Sequence, residues 1–73
     1  MSWSYRIIQQ GDQLAVHEVY FRDDGSIEGW TEQPVFPRGE SLEELQADLA
    51  QYLRAFEESV FVETEAGTLR ELS

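Results

Sequence analysis

One histidine, fifteen carboxylates and no cysteine are what this 73-residue chain offers for chemistry. His17 would need convergent partners to hold a metal or act as a general base. On an extended strand Glu18 points to the opposite face, and Arg6, expected across from His17, cannot ligate a cation. An ordinary strand residue is the favoured reading. Asp23-Asp24-Gly25-Ser26 with Glu28 resembles a calcium loop only superficially. An EF-hand alternates oxygen ligands ahead of its Gly and closes on a Glu near position twelve. Two adjacent aspartates suit a hairpin turn instead. Glu43, Glu44, Asp48, Glu57 and Glu58 could suggest paired acids, but acid–base catalysis needs carboxylates in a cleft that separates their pKa values. On the polar side of a surface helix they are hydrated. Without cysteine there is no disulfide framework, thiolate zinc site or cysteine nucleophile. The five glycines lie apart in turns, so no phosphate loop forms, and no serine–histidine–aspartate set can be assembled. The expectation is no enzyme, no cofactor and no metal.

Charge narrows the partners. Fifteen acids against five bases give a net charge of −10. The bases are Arg6, Arg22, Arg38, Arg54 and Arg70, none adjacent to another and none a lysine. Binding nucleic acid through phosphates needs a basic stripe that releases counterions, so direct nucleic-acid or anionic-membrane binding is disfavoured. Trp3, Tyr5, Tyr20 and Trp30 could stack bases, but with no basic groove they read as core or protein interface. No apolar run is long enough for a membrane span, and the first residues are not a signal peptide. The acidity fits either the solubility of a bacterial-type cytoplasmic domain or complementarity to a basic protein partner.

The elements that must position these residues follow from pattern. Trp3 to Gln9 and Gln13 to Phe21 read as strands joined at Gly11-Asp12. A two-residue loop sets Ile7 against Val16, Tyr5 against Glu18 and Trp3 against Tyr20. One face then carries Trp3, Tyr5, Ile7, Leu14, Val16 and Tyr20, with Glu18 discordant, and reads as core. The other carries Ser4, Arg6, Ile8, Ala15, His17, Val19 and Phe21. Asp23-Asp24-Gly25 turns the chain into a third strand, Ile27 to Gln33. A three-residue loop, the preferred reading, puts Trp30 on the core face; a two-residue loop puts it with Val19 and Phe21.

Pro34 and Pro37 end that strand, since proline cannot donate to a ladder. Ser41-Leu42-Glu43-Glu44 is a capping box opening a helix from Leu42 to about Glu57. Leu42, Leu45, Leu49, Tyr52, Leu53 and Phe56 form one stripe, expected to pack on the sheet; Glu44, Asp48, Gln51 and Glu58 line the opposite side. Ser59 to Glu63 reads as a short fourth strand. The expectation is one α+β domain over residues 1–63: a three-stranded antiparallel meander, a helix and a fourth strand in two layers, with residues 64–73 a loosely held tail.

With the helix on one face, the other lacks cover. Ile8, Ala15, His17, Val19 and Phe21 are therefore the candidate interface, suited to a two-fold homodimer.

The order strand-strand-strand-helix-strand, with Gly39-Glu40-Ser41-Leu42-Glu43-Glu44 opening the helix, resembles the small HicB-like domain, a degraded ribonuclease-H-type fold. The likeness covers roughly Tyr5 to Val62. It implies a non-catalytic module of antitoxin type that binds and neutralises a small basic RNA-cleaving protein, often as an oligomer. Two departures stand out. Gln33-Pro34-Val35-Phe36-Pro37-Arg38 replaces the family's Pro-x-x-Pro-Gly pattern, and the C-terminal DNA-binding segment of many such antitoxins is not expected here. The alternative is a small-molecule-binding or enzymatic domain whose site forms between subunits.

Overall fold

The computed structural model describes residues 1–72. Strands β1 (Ser2–Gln10) and β2 (Gln13–Phe21) pair antiparallel, with Trp3 opposite Tyr20, Tyr5 opposite Glu18 and Ile7 opposite Val16. That is the register a two-residue Gly11-Asp12 loop imposes.

The next loop does have three residues. The Arg22 amide donates to the Ser26 carbonyl at 2.8 Å, the Gly25 amide to the Arg22 carbonyl at 2.9 Å, and Gly25 takes φ 87°. Yet Trp30 on β3 (Ile27–Trp30) lands opposite Val19, not on the face with Tyr5. Phe21 pairs with Ile27 but Tyr20 pairs with Gly29, so Glu28 is an extra, bulged residue. A single bulge inverts every later side chain. The loop length was legible; the bulge reversed its consequence.

Helix α1 (Leu42–Arg54) continues into a 3₁₀ turn, Ala55–Glu57. Ser41 Oγ accepts from the Glu44 amide at 3.2 Å, and Glu44 Oε2 accepts from the Glu40 amide at 3.2 Å, so the capping box closes one residue outside the cap. Strand β4 (Phe61–Glu63) then lies parallel to β1. Residues expected to form a loose tail supply a further strand, β5 (Leu69–Glu71), antiparallel to β4. Its turn is held by the Thr64 amide on the Thr68 carbonyl at 2.8 Å and by the two threonine hydroxyls at 2.8 Å. Ser73 of that segment lies outside the described residues. The protein is thus α+β, but its sheet is mixed and has five strands in the order β3-β2-β1-β4-β5.

The main core lies on the face away from α1. Ile8, Val19 and Phe61 are buried there, with Phe21, Ile27, Trp30 and Leu69 packed against them. Trp30 Nε1–H reaches Glu63 Oε1 at 2.9 Å, although β2 and β1 stand between their strands. Three flat strand spacings would separate β3 from β4 by about 14 Å. The sheet must curl, and its concave face becomes self-covered.

Candidate functional site

Tyr52 and Ala55 are the buried residues on the sheet-facing side of the helix and its 3₁₀ extension. The Tyr52 ring meets Tyr5 at 4.2 Å between centroids. Beside it, Asp48 spends both carboxylate oxygens on structure. Oδ1 accepts from the Tyr5 hydroxyl at 3.1 Å, and Oδ2 from the Arg38 amide at 3.0 Å. Burial, and then the bond to Asp48, push the Tyr5 phenol well above the usual tyrosine range. Burial likewise raises Tyr52. Asp48, read from sequence as solvent-facing, instead ties β1 and the Pro-rich loop to the helix.

This changes which side of α1 is covered. At about 100° per residue, Asp48 and Tyr52 point one way while Leu42, Leu45, Leu49 and Leu53 centre roughly a quarter turn away. The stripe expected to pack on the sheet is exposed: Leu42 by 84%, Leu49 by 46%, Leu53 by 59% and Phe56 by 71%. Only Tyr52 of that stripe is buried. Among the described residues the single ion pair joins the Met1 ammonium to Asp23 at 2.7 Å, so no arginine pairs with a carboxylate of α1.

On the opposite flank of α1 two open clefts meet the sheet. One, of about 800 Å³, is lined by Trp3, Tyr5, Asp48, Arg54, Glu57 and Glu58 among others. The second, of about 490 Å³, has Glu18 and Arg38 on its walls but neither His17 nor Glu28. Its Glu18 already accepts from the Tyr20 hydroxyl at 2.9 Å.

The sequence-derived interface lies elsewhere. Ile8, His17 and Val19 are fully buried, and Ala15 and Phe21 half-buried, in the concave face of one chain. The curl that brings Trp30, Phe61 and Leu69 over this face removes it as a free surface, and with it the ground for two-fold pairing there. His17 Nδ1–H donates to the Thr31 carbonyl at 2.8 Å, and the buried Nε2 has no protein partner. Arg6, its cross-strand neighbour, donates from Nη2 to the Ser59 carbonyl at 3.0 Å. Its guanidinium sits 4.6 Å from the Phe61 ring centroid and 5.8 Å from that of Phe21. Aromatic faces, not carboxylates, surround this cation.

The Asp23-Asp24 loop is a turn held by Asp24, whose Oδ1 accepts from the Ser26 hydroxyl at 2.6 Å and the Ser26 amide at 2.9 Å. Those bonds hold the Asp24 carboxyl below its usual range. Among the described residues no three His, Asp or Glu side chains group as metal ligands. No helix there is long and apolar enough to cross a membrane.

No protein-family model, curated protein or solved structure matches the chain.

Proposed function

We propose that this chain is a non-catalytic, acidic interaction module of the cytoplasm that binds a basic partner protein in the manner of HicB-like antitoxins. The observation that carries the reading is the row of large apolar side chains on α1 left in water. A contiguous apolar patch on the order of several hundred Å² is costly to keep on a small monomer and marks an interaction surface. A charge of −10 supplies the attraction and the selection against acidic partners. The HicB-like comparison rests on the element order of three strands, helix and fourth strand and on the stretch 39–44 that opens the helix.

Affinity capture on the immobilised chain, at low and then raised salt, tests this. A basic protein retained in stoichiometric amount and released by salt is the expected result. Recovery of no basic protein, or retention only of acidic or neutral ones, contradicts it.

A further inference from the structure

We infer that the exposed stripe of α1 receives an amphipathic helix of the partner, leucine-like on one face and lysine- or arginine-bearing on its flanks. This rests on the interaction-module reading and specifies its surface. Leu42, Leu45, Leu49, Leu53 and Phe56 recur at three- and four-residue steps, all exposed. The row runs about 21 Å along a convex rod at 1.5 Å per residue. The natural complement to such a ridge is a second helix whose side chains fill the grooves between these residues. About four turns would cover it.

Charge decides between a foreign helix and a second copy. Arg54, the one basic residue of α1, lines the cleft on the opposite flank together with Glu57 and Glu58, so no cation of the helix stands on the stripe itself. A second copy would set acid against acid, with −10 on each chain. A helix with basic flanks meets a chain of net charge −10 with opposite charge while its apolar face covers the leucines.

The probe is a synthetic helical peptide of leucine and lysine with its leucines on one face. A peptide of identical composition, scrambled so that no apolar face forms, is the comparison. Both are titrated into the intact chain, into a Leu49→Glu/Leu53→Glu variant and into Leu14→Glu, which alters an exposed leucine off the helix. Circular dichroism and urea midpoints establish that each variant is folded. The expected result is saturable one-to-one binding of the facial peptide to the wild type and to Leu14→Glu. Binding should weaken at least tenfold in the double variant, although its added negative charge alone would tighten it. The inference is overturned if the folded wild type fails to prefer the facial peptide over the scrambled one. It is equally overturned if the double variant binds as well as wild type, or if sedimentation shows two chains pairing through the stripe. Affinity capture separates the two levels. A basic partner retained equally by the double variant removes the surface assignment but keeps the interaction module; capture of none removes both.

Discussion

The Trp30 indole and the Glu63 carboxylate meet at 2.9 Å across two intervening strands. Gln10 Nε2 donates to the same Glu63 oxygen at 3.2 Å and to the Glu32 carbonyl at 3.1 Å. Together they tie the two sides of the curled sheet over Ile8 and Val19, so the chain fills one face of its sheet from within.

Acid should loosen that tie. The Trp30 hydrogen bond first, then the one from Gln10, hold Glu63 below the usual glutamate range. A carboxyl depressed in the folded state adds stability above its unfolded pKa and loses it as pH falls through the folded value. Glu63→Gln can keep an acceptor for Trp30 but cannot titrate. Urea midpoints of wild type and variant should therefore converge on the acid side and separate toward neutral pH. A gap that stays constant with pH contradicts this role of Glu63.

The helix, the places of the first four strands, the first hairpin register and the three-residue second loop were legible from turn chemistry and period, although β3 ends at Trp30 rather than Gln33. The concave core was not, because its formation depends on a bulge at Glu28 that leaves no residue-type signature beyond the neighbouring Gly29. Helix rotation was equally hidden. Apolar periodicity locates the leucines but does not say that a Tyr5–Asp48 bond and the Tyr5–Tyr52 contact turn them away from the sheet. Glu18 opposite Tyr5 was the available hint, a polar residue on the supposed core face. The Thr64–Thr68 turn was readable from Ala66-Gly67-Thr68, but isolated Leu69 and Leu72 gave too short an apolar run to mark a strand.

Alkali should act on the helix–sheet seam. A phenol whose folded pKa is raised contributes stability that is full below the unfolded tyrosine pKa and is lost as pH rises through the folded value. Tyr5, Tyr20 and Tyr52 are all raised. Tyrosinate absorbance of the folded chain should rise later than that of the urea-unfolded chain, and unfolding should follow ionisation. Tyr5→Phe should cost about 0.5–3 kcal/mol near neutral pH, by removing a hydrogen bond to a carboxylate. Coincident titration curves for folded and unfolded chains contradict the seam.

Gly39 is where the loop touches α1. A Cβ built there would lie 2.5 Å from the Leu45 amide nitrogen and 2.7 Å from the Glu44 carbonyl carbon. Both are backbone atoms, so the loop must withdraw. Gly39→Ala should destabilise by about 1–3 kcal/mol through overpacking. The control Gly39→Ala/Asp48→Ala, whose loop has already lost its anchor to Asp48, should show a smaller additional loss in urea unfolding. An undiminished midpoint in Gly39→Ala alone contradicts the close approach.

The account turns on whether the leucines of α1 are surface and Tyr52 is core, and urea unfolding of Leu49→Ala beside Tyr52→Ala measures that. Tyr52 is 7% exposed and Leu49 46%. Removing a buried aromatic side chain should cost about 3–5 kcal/mol. Truncating a half-exposed leucine to the best helix former should cost less than about 1 kcal/mol. A large loss for Tyr52→Ala with a nearly unchanged midpoint for Leu49→Ala is the predicted result. A loss of about 2–5 kcal/mol for Leu49→Ala, the range for a buried leucine, would place the stripe in the core and contradict the account.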